Sequence, residues 1–250
     1  MMNKIAILLF YFERPNMVRN ALRSIVKADE HYKNWYLLAF DDGSETPLGP
    51  IVDEEMAVID FRDRCCVVRN EITVEEKINS GGMLGHRQNQ LMDVAINQLG
   101  VDAFVILCDD DELHPEYLKK LNDYFIARPE VLSCYSNVIF YNPLVETSDD
   151  IKTDQEKCRL AHLNKQTQPI NGCGKVDASQ AAWRACCYAM GARFPFPTPH
   201  NHDAGLFNSL AQHCGPMHPT GFIGQYKGVH DKQLGQVGSF KAWTKKDIDK

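Results

Sequence analysis

The run "FVILCDDDELHPEYL", Phe104 to Leu118, drives an apolar strand into three consecutive aspartates, Asp109, Asp110 and Asp111. Adjacent carboxylates repel one another, so they either sit in water at a loop or hold a cation. A second apolar run, "WYLLAFDDGS", also ends in acid, at Asp41 and Asp42, and "ILLFYFERPN" ends in Glu13 and Arg14. A second acidic strand end beside the first weighs against a merely solvated turn. Along an extended strand, side chains at i and i+2 share a face and stand roughly 6.6 Å apart, whereas a hard divalent cation draws its oxygens in to about 2.0–2.6 Å. Asp109 and Asp111 therefore do not both grip one ion unless the chain turns. One direct carboxylate with phosphate oxygens completing the shell is the natural arrangement. The sequence has neither G-x-x-x-x-G-K-[ST] nor a G-x-G-x-x-G after a strand, so a nucleotide here would be held by metal and side chains rather than by a glycine loop.

The other residues with chemistry to offer are unevenly spread. Five of the 9 histidines, His200, His202, His213, His218 and His230, lie in the last fifth of the chain. "HNHD", 200–203, has the look of half a metal site, although a single loop histidine is more often an ordinary polar residue. His230 follows the apolar "GFIGQYKGV" and is placed to face a sheet rim. The 9 cysteines include two adjacent pairs, Cys65-Cys66 and Cys186-Cys187, and no C-x-x-C. An odd count without zinc-ribbon or redox spacing reads as reduced thiols filling the core of a cytoplasmic protein.

These residues need a scaffold, and 250 residues at 44% hydrophobic and 24% charged suffice for a real core. A net charge of -6 argues against a nucleic-acid-coating role. The apolar start, Ile5 to Phe12, is too short to cross a bilayer and breaks at Glu13 and Arg14, so it reads as a buried strand and not a leader. No integral membrane segment is expected. Apolar runs at 5–12, 35–42, 65–70, 104–109 and 131–143 alternate with helical periodicity in "RPNMVRNALRSIVKA" (Asn16 as cap), "GGMLGHRQNQLMDVAINQLG" and "HPEYLKKLNDYFIARP". Such alternation predicts a mostly parallel, Rossmann-like sheet with helices on both faces, whose ligands bind at the carboxyl strand ends. "YFER", "DDGS" and "CDDDE" should then share one rim. From 142 to 176 the pattern fades. "VDASQAAWRACCYAMG" reads as an amphipathic helix, "AGLFNSLAQHCGP" as another, and "GFIGQYKGV" as a last strand. We read one domain, 1–250, with a nucleotide-binding half at 1–141 and an acceptor or catalytic half at 142–250.

In order and wording, "ILLFYFERPN", "FDDGSETP", "GHRQNQ" and "VILCDDDELHPEYL" resemble the family-2-type glycosyltransferases with the GT-A fold. The resemblance covers roughly Ile5 to Leu118, and Asp177 to Leu234 more loosely. It implies transfer of a sugar from a nucleotide-diphosphate sugar, a UDP-sugar foremost, to a carbohydrate or glycoconjugate hydroxyl. It implies that Phe10, Tyr11, Phe12 and Arg14 with Asp41 and Asp42 meet the nucleotide, that Arg87 contacts it from the glycine-rich helix start, and that Asp109 and Asp110 face the ribose. It implies a Mn2+ or Mg2+ held by Asp110 or Asp111 and completed by His230, the choice between the two aspartates staying open on register. "NHDAGLFNSL" stands where the family places its base, which points to Asp203 and to inversion at the anomeric carbon. Phe12-Glu13 departs from the family's usual Tyr-Asn, and His202 from its usual Glu. The competing readings are a zinc-type metallohydrolase built on "HNHD" and a nucleotide-sugar binding module without turnover.

Overall fold

The computed structural model describes residues 3–70, 84–141, 168–172, 177–195 and 202–228, with the side chains of Leu84, Phe140, Tyr141, His202 and Asp203 left outside the description. Strands β1 (Ile5–Tyr11), β2 (Trp35–Asp41), β3 (Cys65–Arg69), β4 (Ala103–Cys108), β5 (Glu112–Leu113), β6 (Ser133–Tyr141), β7 (Ala181–Arg184) and β8 (His218–Gly228) form one sheet in the order β3-β2-β1-β4-β7-β6-β8-β5. The pairs β3-β2, β2-β1, β1-β4 and β6-β8 are parallel, while β7 and β5 run antiparallel to their neighbours. The carboxyl ends of β1, β2 and β4 therefore share one rim, as expected, and that of β8 joins them.

Both faces of the sheet are covered at its centre, which is why β1 and β4 are apolar throughout. Ile5, Ile7 and Leu9 of β1 pack with Val18, Ala21, Leu22 and Ile25 of helix α1 (Pro15–Asp29). The alternate residues Ala6 and Leu8 pack with Leu91, Met92 and Ala95, on and just beyond helix α3 (Leu84–Val94). Between these helices in sequence lies α2 (Leu48–Glu55), which buries Leu48, Ile51 and Val52; its short apolar segment carries no clear period. Helix α4 (Tyr117–Ala127) follows β5, and α5 (Cys186–Ala189) and α6 (His202–Cys214) complete the order. Among the described residues no helix is long and apolar enough to cross a membrane.

Two local expectations are corrected. Asn16 is not a cap: α1 opens on Pro15 at its first position behind Arg14, whose guanidinium only donates, so no side-chain cap bond forms. "VDASQAAWRACCYAMG" is not one helix but a 3-10 turn (Ala178–Gln180), then β7, then α5. Ala181, Ala182 and Trp183 are buried on both faces between β4 and β6, and a wholly buried strand shows no alternation by which to tell it from a buried helix. Gly100 ends the turn after α3 in the left-handed region at φ 62°, the stop its position predicts.

Candidate active site

The strand does turn after β4. Asp109 and Asp110 form the turn itself, closed by the Asp111 N–H donating to the Cys108 carbonyl at 3.2 Å. Turning separates the three aspartates by role. Asp109 points back to the first strand end: it accepts from the Phe12 N–H at 3.0 Å and from Arg14 at 2.8 Å. Asp110 accepts from the same guanidinium nitrogen at 3.0 Å. Asp111 has no exposed surface at all; it accepts from Lys227 Nζ at 3.1 Å and from the Gly228 N–H at 2.9 Å, both at the carboxyl end of β8. Burial raises the Asp109 carboxyl to about 6 against the pull of Arg14. It raises Asp111 as well, against the pull of Lys227.

The turn also brings donor atoms of Cys108, Asp110 and Asp111 within 4.8 Å of one another, a group able to hold a metal ion. Two carboxylates suit a hard cation such as Mn2+ or Mg2+. Burial pushes the Cys108 thiol well above its ordinary value, so it stays a neutral neighbour in the free protein. On this donor chemistry the residues fit a divalent cation, with Asp110 and Asp111 to hold it.

The "DDGS" loop is built by its own first acid. Asp41 is buried and accepts from the N–H groups of Ser44 at 2.9 Å and Leu48 at 3.0 Å, so its carboxylate shapes the loop rather than facing the rim. Asp42 lies at the rim, half-buried, and takes a bond from Asn70 Nδ2 at 3.3 Å. Tyr11 is likewise in the core, its hydroxyl donating to the Thr46 carbonyl at 2.9 Å. Phe10 and Phe12 are half-buried at the end of β1. Between this loop and the first strand stands Glu13, which takes φ 54° and is bonded twice to the neighbouring loop: its N–H donates to Ser44 Oγ at 3.1 Å, and its Oε1 accepts from the Glu45 N–H at 2.6 Å.

Arg87 lies on the first turns of α3, and its guanidinium donates to Gln90 of the same helix at 2.8 Å rather than to the acid turn. The next residue, Gln88, is buried with both amide atoms unpartnered. Asn89 clamps the Phe194 backbone from both sides, at 2.9 and 3.0 Å. Pro195 then wedges between two glycines: a Cβ on Gly85 of α3 would meet the Pro195 carbonyl at 2.3 Å, and one on Gly205 of α6 would meet its ring at 2.1 Å. This wedge sets α6 against α3. Asp203 is the second residue of α6, its side chain outside the described residues, as is all of His230. Of "HNHD", 200 and 201 also lie outside them.

Sequence reasoning missed Lys227 and Asn70, and took Glu13 only as a departure from the family's motif, not as the residue that ties β1 to the next loop. The acid turn needs a counter-cation, and that was the available signal, but no spacing links Asp111 to a lysine 116 residues later.

No protein-family model and no curated protein sequence matches the chain. Solved structures do. S. aureus TarS superimposes with a TM-score of 0.62 at 14% identity, over 90% of this chain and 37% of that one. TarS 1–349 in complex with UDP matches with a TM-score of 0.61 at 13% identity, over 92% of this chain and 61% of that one. TarS 1–349 in complex with UDP-GlcNAc matches with a TM-score of 0.63 at 13% identity, over 94% of this chain and 61% of that one. This chain thus spans less than two thirds of each of these TarS chains. The likeness establishes the fold: a GT-A, Rossmann-like glycosyltransferase fold, as expected from the motif order.

Proposed function

We propose that the protein is a glycosyltransferase that moves a sugar from a nucleotide-diphosphate sugar, a UDP-sugar, to a hydroxyl of a carbohydrate or glycoconjugate acceptor. The observation that carries this reading is the junction at the rim. Arg14 and the Phe12 N–H bind the Asp109–Asp110 turn, so the first strand end and the acidic strand end form one surface. It lies at the carboxyl ends of parallel strands, where such sheets take their ligands. The same fold carries UDP and UDP-GlcNAc in TarS 1–349.

In this reading Phe12 and Asp42 meet the base, Asp109 the ribose, and Arg87 approaches the nucleotide from α3. Asp110 and Asp111 hold Mn2+ or Mg2+, supported by the approach of their oxygens to within 4.8 Å of each other and of Cys108; His230 completes the set. A bound divalent cation supplies neutralisation of charge on the departing diphosphate. Asp203 takes the proton of the acceptor hydroxyl as it attacks the anomeric carbon, and a single base without a protein nucleophile gives inversion. The sulfur and oxygen donors of the acid turn owe nothing to "HNHD", so the metallohydrolase reading draws no support from this site.

A panel of nucleotide sugars read by thermal shift with Mn2+ tests the proposal, since a ligand of the folded state raises apparent stability. A UDP-sugar should raise the melting temperature, and Asp203→Asn should bind it as the parent does while transferring at least about a hundredfold more slowly. A protein that no nucleotide sugar stabilises, or that retains stoichiometric zinc through purification, would end this reading.

A further inference from the structure

Lys227 stands at the carboxyl end of β8, its side chain only 12% exposed. Its Nζ is 3.1 Å from Asp111 and 3.3 Å from Asp177. An ammonium has three protons and no acceptor; among the described residues two are engaged by these carboxylates, and a third is available to an incoming oxygen. Burying an ammonium is costly before pairing, a cost that a hydrophobic residue in its place would avoid. Packing alone gives no reason for a lysine here.

Its position gives one. Asp111 is the residue at which two cations have claims: the ammonium that holds it in the free protein, and the divalent ion that the Cys108–Asp110–Asp111 group is able to bind. Oδ1 of Asp111 already accepts from the Gly228 N–H and Oδ2 from the ammonium, so a divalent ion that takes Oδ2 meets a like charge on the same oxygen. Arg14, the other cation at the turn, is already committed to Asp109 and Asp110. A diphosphate arriving beside three aspartates therefore needs a further positive group, and a displaced Lys227 ammonium is adjacent.

We propose that Lys227 is a donor-binding residue whose ammonium holds the Asp111 carboxylate in the free protein and passes to a diphosphate oxygen of the nucleotide sugar when a divalent cation takes that carboxylate. This rests on the nucleotide-sugar reading above. No covalent bond changes and no proton moves; the ammonium exchanges one anionic partner for another through rotation of its flexible four-carbon stem.

Two affinities test it, and they move in opposite directions. Mn2+ binding to the free protein, followed by electron paramagnetic resonance, should tighten about tenfold in Lys227→Met, because a cation competing for Asp111 is gone. UDP binding at saturating Mn2+, followed by calorimetry, should weaken about tenfold in the same variant, the loss expected for one charge-assisted hydrogen bond. Lys227→Arg should recover most of the UDP affinity. A lysine that only props up β8 would instead lower both affinities together, and an unchanged Mn2+ affinity or an unchanged UDP affinity overturns the proposal. Should Lys227→Met fail to fold, the wild-type protein decides the matter by nitrogen-15 NMR of its lysine ammonium groups, Lys227 being identified by its loss in Lys227→Arg. The Lys227 signal should shift when Mg2+ and UDP are added together and stay in place with UDP alone; no shift in the ternary mixture overturns the proposal. A wild-type protein that binds no UDP at saturating Mn2+ marks failure of the nucleotide-sugar reading itself, whereas normal UDP binding by Lys227→Met marks failure of the Lys227 assignment alone.

Discussion

Arg14 and Asp109 stand 2.8 Å apart at the meeting of the first and fourth strands, and the same guanidinium nitrogen reaches Asp110 at 3.0 Å. Both carboxylates are nearly closed off from water, so the guanidinium that bridges them matters to each. Replacing Arg14 by Ala removes the bridging cation from two adjacent buried acids. The expected loss is about 3–5 kcal/mol of unfolding free energy, the size seen when one partner of a buried pair is removed, and Arg14→Lys should recover only part of it, since an ammonium lacks the planar fork. Urea unfolding of the three proteins measures this; a loss under about 1 kcal/mol for Arg14→Ala, the scale of a surface pair, would refute it.

Glu13 is the one non-glycine residue with positive φ among those described, at 54°. A left-handed residue with a Cβ costs about 1–2 kcal/mol, here offset by the bond that its Oε1 accepts from the Glu45 N–H. Glu13→Ala keeps the strain and loses the acceptor, so it should be about 1 kcal/mol less stable. Glu13→Gly loses both and should sit near the parent protein. Equal stability of the Ala and Gly variants in denaturant would show that the strain is not felt.

The Pro195 wedge predicts a steric effect at a distance from the acid turn. Gly205→Ala places a methyl 2.1 Å from the proline ring, which α6 or the Pro195 loop must move to relieve. Overpacking of this kind costs about 1–3 kcal/mol, and because Asp203 rides on the first turn of α6, turnover should fall while UDP affinity holds. Unchanged turnover in a stably folded Gly205→Ala protein would separate the wedge from the function.

His114 gives the protein a pH response. Its ring stacks on Tyr226 with centroids 5.9 Å apart, and Nδ1 accepts from the Glu116 N–H at 3.3 Å. Burial, followed by the nearby Lys120 charge, holds the imidazole below its ordinary value. The unfolded chain then binds the proton more readily than the folded one, so stability rises with pH through the window below the unfolded value of about 6.5 and is lost as pH falls through it. Asp109 and Asp111, whose carboxyls burial raises, respond with the opposite sign over the same range, so the His114 part is read as a difference: from pH 7.5 down to 5 the melting temperature of the wild type should fall relative to that of His114→Gln. An equally steep slope in the variant would place the response elsewhere.

Much of this architecture is written into the chain. β1 and β4 are apolar at every position, and β2 up to its final Asp41, because both faces of the sheet are covered, and each runs into a polar cluster because those ends meet the rim. β7 was not legible for the same reason in reverse: with Trp183 and its alanines buried on both sides, no period distinguishes strand from helix. The acid turn could be found by its charge, but not the division of labour within it. Asp41 and Tyr11 look like ligands in the sequence and are spent on the loop they build. Lys227 looks like an ordinary strand-end lysine, and only the fold carries it to Asp111.

That last pairing bears on how the protein is made. The strand bearing Lys227 leaves the ribosome 116 residues after Asp111. Until it arrives, β5 has no partner to pair with, and the acid turn holds a carboxylate with no cation to bury it against. Closing so long a loop is slow compared with local helix formation, so the first half of the chain waits in a partly open state during synthesis. The acid turn is thus among the last parts of the protein to form, and a chain stopped short of β8 would carry its aspartates in full sight of water.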